Sequence, residues 1–156
     1  MRMDIMTLFP QLVDTVLSES IIGRARTAGI LDIRCHDIRD YSGNRHRRVD
    51  DTPYGGGRGM LMAAPPIYGC YTADLRKGER VHTVHMSPRG TLFDQECAKR
   101  FASYDRLVIL CGHYEGVDER IIEEIVDEEI SIGDFVLTGG EIPACIVADA
   151  VGRLID

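Results

Sequence analysis

Two glycine-bearing loops are the parts of this sequence whose residue types could do chemistry. The first, Gly112–Gly116, reads Gly-His-Tyr-Glu-Gly and follows the apolar segment Arg106–Cys111, and the second is Ser131–Glu141. Glycine lets the backbone turn sharply and approach a ligand closely. Loops of this kind at the ends of apolar segments suit a crevice that binds a flat ligand through backbone groups.

Two common nucleotide-binding motifs are missing from the sequence. It contains neither G-x-x-x-x-G-K-[ST] nor G-x-G-x-x-G, so an ordinary nucleotide-phosphate site is not indicated. A nicotinamide-dependent dehydrogenase is one alternative for a doubly wound domain. The missing second motif, and the lack of a suitable acidic residue after the first strand, argue against it.

Length and composition predict one ordinary globular domain. The chain has 156 residues, of which 44% are hydrophobic and 28% charged, enough for a substantial core. Its apolar runs are too short for a membrane span and its start has no signal-peptide pattern, so we expect a cytoplasmic protein without a membrane partner. Five cysteines, an odd number without a C-x-x-C pair, predict reduced thiols.

Charge is unevenly distributed along the chain, whose net charge is −7. Residues 21–48 carry seven arginines against three aspartates, whereas residues 111–134 carry nine carboxylates against one arginine. A solvated mixed surface is one interpretation of this pattern. A basic face for RNA, with an acidic face elsewhere, is the other.

The elements that position the loops alternate between strand and helix. Such βα alternation predicts a parallel sheet covered on both faces. The predicted strands are Met3–Phe9, Ile30–Ile38, Val81–Met86 and Leu107–Cys111. The predicted helices begin at Pro10, Ser20, Pro65, Asp94 and Val117.

Three further segments complete the prediction. A last helix runs from Pro143, with Ile146, Ala150, Val151 and Leu154 on one stripe. Asp40–Gly59 is a long polar loop, and the acidic residues Glu119–Glu129 form a solvated helix face.

Three motifs carry a resemblance to a known family: CGHYEGVDER, SIGDFVLTGGE and DDTPYGGGRGMLM (Asp50–Met62). Together, and in this order, they resemble the bacterial tRNA (guanine-N1)-methyltransferase family TrmD, of the knotted SPOUT class. The resemblance runs from the first strand to the last residue. It implies an α/β fold whose parallel sheet has helices on both faces and a deep C-terminal trefoil knot, with residues 1–156 as one SPOUT domain. The tRNA-binding domain of such enzymes would follow and is absent here.

The resemblance implies S-adenosyl-L-methionine as the cofactor, bound by three loops that form the knot. The implied cofactor-binding residues are Met86, Ser87 and Pro88; Gly112, Tyr114 and Glu115; and Ile132, Gly133, Asp134, Phe135, Val136, Leu137, Gly139, Gly140 and Pro143. Glu115 is also the implied position for Mg²⁺ dependence. Two residues depart from the family pattern: Arg89 replaces a frequent glutamine, and His113 a frequent arginine.

The same resemblance implies where tRNA is held and how it reacts. The residues implied to hold tRNA are Arg48, Tyr54, Gly57, Arg58 and Gly59, where arginines suit phosphates and glycines allow a close approach to a base. Methylation of guanine at N1 removes the N1 proton, so negative charge develops towards O6. Arg153 matches the family arginine that stabilises this charge. The family's general base, an aspartate beyond the last helix, is absent from the sequence.

We therefore expect a homodimeric tRNA (guanine-N1)-methyltransferase whose active sites use both subunits. It would transfer the methyl group to the guanine just 3′ of the anticodon when another guanine precedes it. Because the sequence stops before the aspartate, we expect this chain alone to bind the cofactor but to be weakly active or inactive. A non-catalytic S-adenosylmethionine-binding module is the alternative.

Overall fold

The computed structural model describes residues 1–51, 59–75, 80–113 and 116–156. In chain order the elements are β1 (Arg2–Thr7), α1 (Pro10–Leu17), α2 (Ser20–Thr27), β2 (Asp32–Asp37), a 3₁₀ turn (Ile38–Tyr41), β3 (Asp50–Asp51), β4 (Leu61–Met62), α3 (Ala64–Cys70), a π-helical turn (Tyr71–Leu75), β5 (Val81–Leu92), α4 (Gln95–Ala102), β6 (Arg106–Cys111), α5 (Glu119–Ile125), β7 (Glu128–Ser131) and α6 (Glu141–Gly152).

Five strands form a sheet in the order β2-β1-β6-β5-β7, and every neighbouring pair is parallel. Parallel strands need crossover helices, and these cover both faces. The carboxyl ends of β5, β6 and β7 therefore meet at one edge of the sheet. Strands β3 and β4 form a separate antiparallel pair.

Alternate side chains of the central strands point into two different cores. Met3 and Ile5 of β1 pack under α1, α2, α4 and α6, whereas Met6 packs under α3 and α5. In β6, Leu107 and Ile109 join the first core. All these side chains are buried, which confirms the predicted parallel α/β sheet with helices on both faces.

The prediction for the acidic stretch was wrong in its second half. Helix α5 ends at Ile125, and Glu128–Ser131 forms the edge strand β7. Two consecutive glutamates disfavour a strand prediction, but both carboxylates are paired here. Glu128 lies 2.6 Å from Arg100 Nη1 of α4, and Glu129 lies 3.1 Å from Arg89 Nε of β5, so arginines of two neighbouring elements compensate their charge.

The predicted apolar stripe of α6 was wrong at Ile146, whereas Val151 is buried and Ala150 and Leu154 pack against the core as predicted. Ile146 is 44% exposed, whereas the side that faces the core is built from small residues. That side carries Pro143, Ala144, Cys145, Val147, Ala148, Val151 and Gly152. Small side chains let α6 approach β1 and β6, while it packs sideways against α1 and α4. The deep knot implied by the resemblance stays a prediction.

The predicted polar loop Asp40–Gly59 contains one short strand, Asp50–Asp51, within its described part. The predicted end of the strand Val81–Met86 was wrong, because β5 continues to Leu92, where it pairs again with β7 after a register shift. Most other predicted elements fall close to their predicted positions; Pro10, for example, is the first residue of α1. Among the helices of the described segments, none is long and apolar enough to cross a bilayer.

Candidate functional site

A cavity of about 620 Å³ lies at the carboxyl ends of β5, β6 and β7. Its walls come from three segments: Met86–Arg89, which lies within β5 where its pairing with β7 shifts register, and Gly112–His113 and Ile132–Gly140, which follow β6 and β7. A cavity of this size suits a small organic ligand. The three loops predicted from sequence therefore converge on one site.

The loops approach each other closely at Gly140. Its amide donates a hydrogen bond to the Gly112 carbonyl at 2.9 Å. A Cβ at position 140 would lie 2.9 Å from Cys111 Cα, 3.1 Å from Gly112 N and 3.2 Å from Met86 Cβ. Because these are backbone or Cβ atoms, they cannot rotate away, and glycine is required at this position.

Most of the predicted cofactor-binding residues line the cavity. Those that do so are Met86, Ser87, Pro88, Gly112, Ile132, Gly133, Phe135, Val136, Leu137, Gly139, Gly140 and Pro143. Asp134 is exposed and is not part of the lining. Tyr114 and Glu115 lie outside the described residues, and so does the predicted metal position at Glu115. Within the described ranges, no group of three or more potential metal-ligating side chains is clustered.

A polar cluster of four residues, His85, Arg89, Glu119 and Glu129, lies at the cavity, and all of them except Glu129 line it. Arg89 Nη2 lies 2.7 Å from Glu119 Oε2, and Arg89 Nε lies 3.1 Å from Glu129 Oε2. His85 Nδ1 lies 3.1 Å from Glu129 Oε1. Burial lowers the pKa of His85 despite this hydrogen bond, so its ring is neutral at neutral pH. The cluster therefore carries one positive and two negative charges.

A second polar group, built around a buried carboxylate, lies beside the cavity. Glu141, the first residue of α6, is 3% exposed. Its Oε1 accepts a hydrogen bond from the Thr7 hydroxyl at 2.8 Å, and its Oε2 lies 2.7 Å from His113 Nε2. The Thr7 hydroxyl in turn accepts a hydrogen bond from the Phe9 amide at 2.9 Å. These contacts join the ends of β1 and β6 to the start of α6.

Strand β4 fixes one end of the predicted tRNA loop beside the cavity. The Met62 amide donates to the Gly116 carbonyl at 3.0 Å, and the Asp118 amide donates to the Met62 carbonyl at 3.0 Å. Leu61 itself lines the cavity. The loop that connects β3 to β4 is thus anchored to the loop that follows β6.

Of the predicted tRNA-binding residues, two are described. Arg48 is exposed and its Nε lies 3.6 Å from Asp50 Oδ1, and Gly59 has a left-handed φ of +86°. Tyr54, Gly57 and Arg58 lie outside the described residues.

Aspartates neutralise much of the arginine-rich segment. Four of its arginines pair with aspartates in the described part of the chain: Arg26 with Asp14, Arg34 with Asp32, Arg47 with Asp37 and Asp40, and Arg48 with Asp50. This pattern favours the mixed-surface interpretation over a continuous basic face.

Arg153 is not brought to the cavity of its own chain. It is the exposed C-cap residue of α6, whereas the cavity-lining Gly140 and Pro143 lie at the other end of this helix. Twelve helical residues separate the two ends, which corresponds to a length of about 18 Å.

Several cavity residues were missed from the sequence. Glu119 begins the helix after the first glycine loop, so extending that loop into the helix would have included it. No local sequence pattern predicts a strand at Leu61, because β4 contains only two residues. Its position depends on pairing with distant parts of the chain.

Comparison with known proteins shows the family. The model of the family described as tRNA (Guanine-1)-methyltransferase TrmD matches residues 1–156. Proteins named tRNA (guanine-N(1)-)-methyltransferase are similar to this chain over 99% of its length: those of Ruminiclostridium cellulolyticum, 52% identical, Lachnospira eligens, 51%, and Chloroflexus aggregans, 52%. The aligned parts cover 67%, 66% and 61% of these relatives, so the chain spans about two thirds of their length or slightly less. The chain belongs to the tRNA (guanine-1)-methyltransferase family TrmD.

Proposed function

We propose that the cavity binds S-adenosylmethionine and that this chain is the cofactor-binding part of a tRNA (guanine-N1)-methyltransferase. The observation that carries the proposal is the close packing of Gly140 on Gly112 and Met86 at the floor of the cavity. It joins the three loops that the family resemblance assigns to the cofactor. When bound, the cofactor supplies the methyl group.

The cavity lining fits both the adenine and the sulfonium group of this cofactor. Ile132, Leu137 and Pro143 offer apolar walls, and the adjoining glycine segments offer backbone donors and acceptors for an adenine. The polar cluster of His85, Arg89, Glu119 and Glu129 has a net negative charge, which favours a cationic sulfonium. A purely apolar slot would not distinguish the charged donor from its neutral product.

Substrate tRNA would approach from the side of β4. Leu61 belongs both to the cavity lining and to the strand that ends the predicted tRNA loop, so a base held by that loop would lie next to the cofactor. Arg48, Tyr54, Gly57, Arg58 and Gly59 remain the proposed tRNA-binding residues, and Glu115 remains the proposed position for Mg²⁺ dependence.

A homodimer would bury an apolar face shared by α1 and α6. The two helices pack side by side, and Leu12, Val16, Ile142 and Ile146 are 48%, 51%, 60% and 44% exposed. Exposed apolar patches of this kind mark interaction sites. A second copy of the chain is the occupant that the family resemblance implies.

Such a dimer would also give Arg153 access to a cavity. At about 100° per helical residue, Arg153 lies on the same exposed stripe of α6 as Ile142 and Ile146. If two α6 helices pair in antiparallel orientation, Arg153 of one chain comes to the cavity end of the other. There its guanidinium would stabilise the negative charge that develops on O6 as N1 loses its proton. The family resemblance assigns that proton to an aspartate that this sequence lacks, so with this chain the guanine would lose it to solvent only slowly.

Ile146→Glu is expected to convert the dimer into a folded monomer, because it places a charge at the centre of the apolar face. Light scattering after size-exclusion chromatography measures the mass. Ile21→Glu, at a 59% exposed apolar residue of α2, is the matched control and should leave the dimer intact. A dimeric Ile146→Glu protein would contradict this interface.

Arg89→Gln is expected to increase the preference for the sulfonium cofactor over S-adenosylhomocysteine. The substitution removes the positive charge that offsets Glu119 and Glu129. Since Arg89 is largely exposed, the dissociation constant of S-adenosylhomocysteine divided by that of S-adenosylmethionine should rise only about two- to fivefold. Salt should suppress this change. Arg100→Gln, which removes a partner of Glu128 away from the cavity lining, should leave the ratio unchanged.

Methyl transfer tests the proposed reaction directly. The chain is mixed in excess with unmodified tRNA transcripts and labelled cofactor, and mass spectrometry locates the methyl group. We expect slow transfer to N1 of the guanine 3′ of the anticodon in transcripts with a preceding guanine. Transfer at the rate of a full-length relative would contradict the expected weak activity, and methylation of a different atom would contradict the proposed reaction.

A non-catalytic S-adenosylmethionine-binding module is the second candidate. The placement of Arg153 away from its own cavity favours it for an isolated chain. Cofactor binding without methyl transfer, even at high enzyme concentration, would support this candidate. The proposed tRNA substrate is also the reason to propose a cytoplasmic location for the enzyme.

A further inference from the structure

The contact chain Thr7–Glu141–His113 has no role in the function proposed so far. It links the last residue of β1, the first residue of α6 and the loop after β6 through a carboxylate that is almost fully buried. An ionised carboxylate only accepts hydrogen bonds, so both Thr7 and His113 donate to it. Hydrogen bonds to a charged acceptor are stronger than neutral ones, and losing one strands a buried charge.

The ring of His113 also determines which residue can occupy position 139. A Cβ on Gly139 would overlap His113 Nε2 and lie 2.5 Å from Cδ2. These are the atoms that the contact with Glu141 holds in place. The His113 side chain is largely buried, and its ring centroid lies 5.0 Å from that of Phe9. Gly139 and His113 therefore fit together as a pair.

We propose that His113 is a positioning residue that sets the spacing between the two glycine walls of the cavity. Through Glu141 and Thr7 it ties the loop at Gly112 to the start of α6, next to the Gly140–Gly112 hydrogen bond. His113, which the sequence shows only as a departure from the family pattern, therefore helps to shape the cavity. This inference deepens the proposed function and rests on it for the identity of the ligand.

Amide hydrogen exchange tests the positioning role without any ligand. In His113→Ala, exchange at Gly140 should accelerate about tenfold or more, the factor that corresponds to one lost charge-assisted hydrogen bond. Exchange at Ile109, in the middle of β6, should not change. His113→Gln, whose side-chain amide can donate to Glu141, should restore slow exchange at Gly140. Unchanged exchange at Gly140, or equal acceleration at Ile109, would overturn the proposal.

Binding of S-adenosylmethionine, measured by calorimetry, tests the consequence for the cavity. His113→Ala and Gly139→Ala should each weaken binding about tenfold, and His113→Gln should remain within about threefold of the wild type. The double variant Gly139→Ala/His113→Ala should bind no more weakly than His113→Ala alone, because the ring that opposes a Cβ at 139 is gone. Additive losses would overturn the proposal.

Failure of the proposed function and failure of this inference give different results. If the wild-type chain does not bind S-adenosylmethionine, the proposed ligand is wrong, and the exchange rate of Gly140 still decides the role of His113. If the wild type binds but His113→Ala binds equally well, the positioning role is wrong and the proposed ligand stands.

Discussion

Replacing Gly140 with alanine is expected to reduce S-adenosylmethionine binding roughly a hundredfold, which corresponds to about 2.7 kcal/mol and lies within the usual cost of overpacking. The added Cβ would lie 2.9 Å from Cys111 Cα and 3.1 Å from Gly112 N, so the start of α6 must move away from β6. That shift separates the walls of the cavity and breaks the Gly140–Gly112 hydrogen bond. Overpacking should also lower the free energy of unfolding by about 1–3 kcal/mol.

Gly43→Ala is the matched control for Gly140→Ala. Gly43 has a left-handed φ of +72°, and a Cβ there would meet no atom within 4 Å. We expect a cost of about 1 kcal/mol from the backbone conformation and no change in affinity. Calorimetric titration and urea denaturation of both variants separate the two effects. Unimpaired binding by Gly140→Ala would contradict the placement of the ligand between the glycine segments.

Replacing Asp4 with asparagine is expected to cost about 3 kcal/mol of folding stability, because it removes the negative charge from a buried ionic cluster. Asp4 is fully buried in β1, and its carboxylate lies 2.9 Å from Arg2 Nε, 2.8 Å from Arg106 Nε and 2.7 Å from His36 Nε2. Asparagine would leave these basic groups without their counter-charge. Asp32→Asn, at an exposed aspartate paired with Arg34, should cost less than about 1 kcal/mol.

The same carboxylate predicts how stability depends on pH. Burial raises the pKa of Asp4, but hydrogen bonds from His36, Arg2 and Arg106 outweigh it and lower the pKa from 3.8 to about 2. The folded state therefore binds the proton less readily than the unfolded state. The ionised Asp4 carboxylate therefore contributes about 2 kcal/mol to the free energy of unfolding. This contribution is complete above the unfolded pKa of 3.8 and is lost as pH falls through the folded pKa.

Urea denaturation at several pH values measures this contribution. Between pH 4 and 2, the wild type should lose about 2 kcal/mol more than Asp4→Asn does. Equal losses of unfolding free energy in the two proteins would show that the pKa of Asp4 is not lowered in the folded state.

Local sequence patterns were sufficient to predict most of the helices and strands, and the edge of the sheet at which the cavity lies. Apolar runs identified β1, β5 and β6, and Pro10 marked the start of α1. Because glycine-bearing loops follow parallel strands, they had to lie at the same edge of the sheet. Their convergence on one cavity follows from this geometry once the strands are adjacent.

Features that depend on distant pairing could not be predicted. The strand β7 contains Glu128 and Glu129, whose partners His82, His85 and Arg100 lie 28 to 46 residues away in sequence. Without those partners the segment resembles an exposed helix. The contact between Thr7 and Glu141 spans 134 residues, and no local pattern indicates it.

Calorimetric titration of the purified chain with S-adenosylmethionine tests the central claim most directly. S-adenosylhomocysteine and NAD serve as comparators, and Gly140→Ala serves as the variant with a disrupted cavity. Saturable binding of the cofactor and its demethylated product, without NAD binding and with strong loss in Gly140→Ala, is the predicted result. NAD binding, or no saturable binding of S-adenosylmethionine at millimolar concentration, would contradict the assignment of this cavity.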